Sequence, residues 1–259
     1  MVRKTENFKI KTRYNEISVV YRGGELELQS PDNALQSVID LKRPHRLALP
    51  NLEHLIAILL FIEPPQKILL LGTAGGSLLH FLRHHLPGSE ITAVDIDSEL
   101  IERLLQMNLL PKADEKLTYV YDDAIHFISQ SRDRFDLILI DIFDGAQSPG
   151  WLSERDFLET LHRCLEPTGA LGFNLLIDSE HEFNRFYRNL RLICQQQTLC
   201  MPVAGFENTI AYGFRQQPPQ REMSWYIEHT LEMSQKHSID YMEILSAIYT
   251  TNPSGEVIG

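Results

Sequence analysis

The sequence predicts an α/β protein built on a doubly wound, mainly parallel sheet with a small β region in front of it. Three observations carry that expectation. From about residue 50 onward, short apolar runs alternate with helix-like stretches, the rhythm of strand–helix–strand units. Several runs, such as "KILLLG" and "FDLILID", are apolar without a break, as strands covered on both faces are. Ahead of them, residues 1–48 have no helical rhythm and read as β.

The elements follow in order. "EISVVY" and "ELELQ" form a hairpin through "RGG", where Gly23 and Gly24 can supply the positive φ that a tight turn needs. "SPDN" at 30–33 is a second turn. This region is too small for a core of its own and should pack on the following domain or on a second subunit. "LIAILLFI", the longest apolar run, has eight residues, against the about 20 that cross a bilayer. Residues 49–215 form the main, nucleoside-binding domain. Its strands are 67–72, 90–95, 117–121, 135–141 and 169–176, with helices "SLLHFLRHHL", "SELIERLLQMNLL", "DAIHFISQS" and "SERDFLETLHRCL" between them. Ser153 and Asp156 read as a helix-opening S-x-x-D, and Pro167 with Gly169 as the end of that helix. A helix around "RFYRNLRLICQQ" leads to a closing antiparallel pair, "TLCMPV" and "TIAYGF". Residues 216–259 are a helical tail, with one amphipathic helix over 222–249.

The chain of 259 residues, 43% hydrophobic, holds one sizeable core plus an appendage. A formal net charge of −11 argues against nucleic acid as partner. The N-terminus lacks the apolar segment of a secretory signal, and no run spans a membrane, so a cytoplasmic setting is expected. Cys164, Cys194 and Cys200 are odd in number and lack metal-site spacing, which reads as free thiols in a reducing compartment.

Candidate functional residues gather at strand ends. "LGTAGGS" places Gly72, Thr73 and Gly75 where backbone N–H groups can approach a ligand at a helix start. Asp95 ends the next strand, about where a carboxylate accepts from ribose hydroxyls, with Ile96 beside it. Asp97 caps the following helix. In "YDDAIHF", Asp122, Asp123 and Ala124 stand at the third strand's end; Asp123 can accept from an adenine amino group, cap the helix, or do both. Without a phosphate-binding lysine motif, the ligand that fits is an adenosine without phosphates. Asp141 and Asp144 end the fourth strand. His80 and His84 are one helical turn apart beside His85, with no third metal ligand apparent, and no metal is expected. Trp151 either lids the site or anchors its loop.

The run "ILLLGTAGGS…VDID…DDA…FDLILIDIFD…LSERDFLETLHRCLEPTGAL" resembles the spermidine synthase family of polyamine aminopropyltransferases, relatives of the class I methyltransferases, over about 67–176. "TRYNEISVV" resembles that family's N-terminal β domain. The resemblance implies a Rossmann-like class I methyltransferase fold with a seven-stranded sheet, a homodimer, and an aminopropyl group moved from decarboxylated S-adenosylmethionine to a small-molecule amine. It implies Asp141 as the base and Asp144 as a ligand of the substrate amine. The chain departs from the family pattern at Gly75, where the family has aspartate, and at Asn51, Leu52 and Glu53, which replace a Tyr-His/Gln-Glu triplet. Tyr14 and Asn15 stand for Tyr-Gln, Gly145 stands for proline, and "PVAGFENT" has no counterpart of a tyrosine. The adenosine half of the pattern is retained and the polyamine half is altered. The alternatives are an S-adenosylmethionine-dependent methyltransferase and a nucleoside-binding protein without catalysis.

Overall fold

The computed structural model describes residues 7–31, 33–73, 75–145 and 147–252; Asp32 of the expected 30–33 turn and Ala74 of the small-residue loop lie outside them. Four antiparallel strands in sequential order, β1 (Phe8–Lys11), β2 (Glu16–Arg22), β3 (Glu25–Gln29) and β4 (Leu35–Asp40), make the first sheet. Its hairpin turns on Gly23 and Gly24, at φ 60° and 99°. Ile17, Val19, Leu26, Leu28 and Ile39 leave this sheet on one face and bury against Leu100, Ile101 and Leu104. That cover answers the question of what the small sheet packs on. The run "LIAILLFI" is not at a surface: it closes α1 (Pro50–Ile56) and a 3₁₀ turn (Ala57–Leu60) beneath the main sheet, with Leu55, Ile56, Ala57 and Ile58 fully buried. Among the described residues no helix is long and apolar enough to cross a membrane.

The main sheet has seven strands: β5 (Lys67–Leu71), β6 (Glu90–Asp95), β7 (Leu117–Tyr121), β8 (Phe135–Ile140), β9 (Leu165–Leu175), β10 (Thr198–Pro202) and β11 (Thr209–Phe214). Their order is β10-β11-β9-β8-β5-β6-β7. β5 to β9 run parallel, and β11 is antiparallel to both β9 and β10. The unbroken apolar runs now have their reason. Ile68, Leu70, Leu137 and Leu139 face α1, α2 (Ser77–His85), α7 (Met223–His237) and α8 (Tyr241–Thr251). Leu69, Leu71, Ile138 and Ile140 face α4 (Ala124–Gln130), α5 (Arg155–Arg163) and α6 (Glu180–Ile193). Each side chain fully buried in this way contributes about 1.5–3 kcal/mol. The remaining helix, α3 (Ser98–Gln106), lies between the two sheets.

Three sequence expectations are corrected. Ser153 does not open α5: it is buried in a 3₁₀ turn (Gly150–Ser153), and the helix starts at Arg155 without a side-chain cap. Pro167 and Gly169 do not stop a helix but lie inside β9. The β8–β9 register jumps from Phe135↔Leu165 to Leu137↔Ala170, and the extra β9 residues bulge out, so the ladder needs no N–H from Pro167. The tail is two helices. Ser238, at φ 58°, ends α7, and Asp240 starts α8 by accepting from the Glu243 N–H at 3.0 Å.

Candidate active site

Because β5 to β8 are parallel, their carboxyl ends share one edge of the sheet, and a cavity of about 370 Å³ opens there. Backbone bonds draw the strand ends together: Gly72 donates to the Val94 carbonyl and Asp141 donates to the Leu71 carbonyl, each at 2.9 Å. Gly72 is at φ 86°, and a β-carbon there would lie 2.2 Å from the Asp141 carbonyl oxygen. Only glycine allows this approach of β5 to β8.

Asp95, the last residue of β6, accepts from the Thr73 N–H at 2.8 Å and from the Asp97 N–H at 2.9 Å. Asp97 caps α3 through the Leu100 N–H at 3.0 Å. Its other oxygen accepts from Thr12 Oγ1 at 2.6 Å and Asn15 Nδ2 at 2.8 Å. This almost wholly buried carboxylate thus bolts the β1–β2 loop to the main sheet, and Tyr14 and Asn15 become one wall of the cavity. Asp123 caps α4, accepting from the Ile125 and His126 N–H groups at 2.8 and 3.0 Å. Asp122 accepts from the Asp123 N–H and from His126 Nδ1, each at 2.8 Å.

Asp141 follows β8 and is partly buried at the cavity floor, its Oδ1 accepting from Asn174 Nδ2 at 2.9 Å. Burial pushes its pKa up to about 6, with the Asn174 bond acting in the opposite direction. Asp144 is exposed in the loop beyond, where its N–H donates to the Gln147 carbonyl at 2.8 Å. Trp151 anchors its loop, packing edge-on against Phe157 with ring centres 4.9 Å apart, and it also lines the cavity.

Of the residues singled out from sequence, Gly72, Asp95, Ile96, Asp122, Asp123, Ala124, Asp141 and Asp144 all line this one cavity. Thr73 is buried beside it and contributes its N–H to Asp95. Gly75 is not part of the lining. A β-carbon there would lie 2.4 Å from both Cβ and Oγ of Ser37 and 2.7 Å from Leu28 Cδ1, so the small sheet occupies the space a side chain would need. Ser37 is further held to the start of α2 by a 2.7 Å bond between its hydroxyl and that of Ser77. Asn51, Leu52 and Glu53 do not line the cavity either. Leu52 is core, and the Glu53 carboxyl is pushed up to about 7 by burial, with Arg46 opposing and Glu243 and Asp240 adding to the rise. His80 bonds the Leu109 carbonyl at 2.8 Å, and His84 stacks on His45 at 3.8 Å.

Sequence reasoning missed Gln36, which reaches the cavity from β4, and Asn174. A carboxamide inside the apolar run of β9 was the available signal for the second. Five lining side chains are carboxylates, Asp95, Asp122, Asp123, Asp141 and Asp144, and among the described lining residues none is Lys or Arg.

The family model for the spermine/spermidine synthase domain matches residues 51–204. A polyamine aminopropyltransferase of Neisseria meningitidis serogroup A is 25% identical over 245 residues, covering 94% of this chain and 93% of that protein. In fold, a probable spermidine synthase from Corynebacterium glutamicum superposes with a TM-score of 0.74 at 18% identity, over 93% of this chain and 94% of the other. A spermidine synthase in complex with the transition-state analogue AdoDATO gives 0.61 at 15% identity, over 93% and 82%. A matched segment longer than half the chain, lying over strand ends that converge on one acidic cavity, means that the chain belongs to the spermine/spermidine synthase family.

Proposed function

We propose that the protein moves the aminopropyl group of decarboxylated S-adenosylmethionine onto a small-molecule amine and releases methylthioadenosine. The observation that carries this reading is the cavity's charge: five carboxylates and no basic side chain among the described lining residues. Both substrates suit it, since the donor carries a sulfonium and an ammonium, and the acceptor is an ammonium at neutral pH. A donor that kept its α-carboxylate would bring in an anion with no cation to meet it. That disfavours S-adenosylmethionine, and with it the methyltransferase alternative.

In this reading Asp95 accepts from the ribose hydroxyls and Asp123 from the adenine amino group. Gly72, Ile96, Asp122 and Ala124 shape the pocket around the nucleoside, and Thr73 orients Asp95. Asp144 binds the acceptor amine by a charge-assisted hydrogen bond. Asp141 takes the proton. An alkylammonium has a pKa of about 10, so the nitrogen is not a nucleophile until it is deprotonated. Its lone pair then forms the N–C bond at the carbon beside sulfur, the C–S bond breaks with its electrons going to sulfur, and the proton leaves on Asp141 for solvent. A carboxyl raised to about 6 is a stronger base than an ordinary aspartate and is still ionised at pH 7. Activity is therefore expected to fall as pH drops through about 6, checked by the pH profile of kcat/KM.

The test is incubation of the purified chain with each donor and a panel of amines, read by mass spectrometry. Gain of an aminopropyl group with release of methylthioadenosine is the expected result. Gain of a methyl group, or no transfer to any amine, overturns the reading. Asp95→Ala is expected to weaken methylthioadenosine binding by at least about tenfold in calorimetry, the loss of hydrogen bonds to a charged acceptor. Unchanged affinity would remove the ribose assignment. The same reading carries a cytoplasmic setting and a homodimer, the latter open to sedimentation analysis.

A further inference from the structure

Three strand ends meet beside Asp141. Ile140 of β8 pairs with Phe173 of β9, which sets Asn174 next to Asp141. β11 runs antiparallel to β9, with Ile210 opposite Asn174, so the residue two places earlier, Asn208, comes back to the same edge. There Asn208 Nδ2 donates to Asn174 Oδ1 at 2.9 Å, while Asn174 Nδ2 donates to Asp141 Oδ1 at 2.9 Å. Asn174 is fully buried and Asn208 is 6% exposed. The turn that carries Asn208 is itself pinned, the Val203 N–H donating to the Asn208 carbonyl at 2.9 Å.

A carboxamide can present either of its ends. Turned with its N–H toward a carboxylate, it favours the charged form; turned with its oxygen that way, it repels the charge and favours protonation. A lone asparagine at position 174 would have both options. With Asn208 Nδ2 on the Asn174 oxygen, that oxygen is occupied and the Asn174 N–H is the end left for Asp141, the orientation that an accept-only carboxylate also selects.

We propose that Asn208 and Asn174 form a positioning relay for Asp141, in which Asn208 locks Asn174 with its N–H on one carboxylate oxygen and so leaves the other oxygen to take the acceptor's proton. The relay rests on the reading of Asp141 as the base. It acts against the burial of that carboxylate, and it fixes the direction in which the second oxygen points. It also gives the antiparallel hairpin β10–β11 a part in the chemistry: the chain reverses there and delivers a side chain to the edge where the parallel strands end.

The test uses the full chain with Asn208→Ala, Asn174→Leu and, as the control, Asp141→Asn, each examined for the pH dependence of kcat/KM, methylthioadenosine affinity and thermal melting. The acidic limb of the profile is expected to move to higher pH by about one unit, in Asn174→Leu because the bond that favours the charged form is lost and in Asn208→Ala because Asn174 is no longer held to make it. At pH 7 kcat should fall by at least about tenfold, whereas methylthioadenosine affinity stays within about twofold, as in loss of an interaction made only in the transition state. A merely structural role would lower the melting temperature and leave the acidic limb in place, and that result overturns the relay. If Asn174→Leu does not fold, Asn208→Ala decides, since its side chain sits on a turn and does not touch Asp141. The two readings fail differently. If Asp141→Asn keeps its activity, the base assignment is wrong and the relay goes with it. If Asp141→Asn is inactive but the limb of Asn208→Ala does not move, only the relay is wrong.

Discussion

Asp141→Asn is expected to lower aminopropyl transfer by about 10²–10⁴-fold, the range that a positioned proton acceptor supplies, and to leave methylthioadenosine affinity within about twofold. It should also make the protein more stable above pH 6. The Asp141 pKa stands at about 6 in the folded chain against 3.8 for the ordinary group, so between those values the folded state holds the proton more tightly than the unfolded state does. Stability from this group therefore increases as pH falls through 6 toward 3.8, and above 6 the buried charge is a burden. The difference corresponds to at most about 3 kcal/mol, and to less in practice because the side chain stays open to the cavity. Asparagine removes the charge and keeps an oxygen for the Asn174 N–H. The measurement is a pair of melting curves: the mutant should melt a few degrees above the parent at pH 8, and the gap should close near pH 4. A gap of the same size at both pH values would contradict the burial of charge, and retained transfer would contradict the base.

Gly72→Ala should be the most damaging glycine-to-alanine change among the described residues. Its β-carbon would sit 2.2 Å from the carbonyl oxygen and 2.9 Å from the carbonyl carbon of Asp141, and both of these are backbone atoms. The φ of 86° adds strain of about 1–2 kcal/mol for any L side chain. Together these should cost about 3–5 kcal/mol, a large share of a typical stability of about 5–15 kcal/mol. What relief exists lies in parting β5 from β8, which moves Asp141 off its mark, so residual activity should fall together with stability. Urea denaturation at neutral pH checks the first part; a loss below about 1 kcal/mol would mean that the two strand ends do not touch as described.

The same two residues show what was legible before any coordinates. Asp141 and Gly72 could be found because doubly buried strands are unbroken apolar runs, so their ends are sharp in the sequence and whatever follows them stands at the ligand edge. Asp95 and Asp123 were found because each follows a strand of the same alternating series, although β7 is a half-exposed edge strand, and the hairpin through Gly23 and Gly24 by its turn residues. What was missed depends on contacts between distant segments. Asn174 is one polar letter within β9, and its meaning appears only when Asn208, 34 positions on, closes beside it. The break of the tail at Ser238 carries neither Gly nor Pro, although Asp240 and Glu243 have the spacing of a helix start. Ser153 misled because an S-x-x-D pattern is local, while the burial of that serine against the rest of the fold is not. Pro167 misled because a bulge suspends the rule that strands exclude proline.

The contact of Gly75 with Ser37 has an evolutionary corollary. Position 75 lies in the loop after β5 and position 37 on β4 of the other sheet, yet they share a single volume, so a change at one alters which changes the other tolerates. An acid placed at 75 with the serine still present would collide with β4. The same acid arriving after position 37 had lost its side chain would still have to displace the end of the flexible Leu28 side chain, a smaller obstacle. The order of substitution decides the outcome: toward an aspartate in that loop the small sheet must change first, and away from one the loop must.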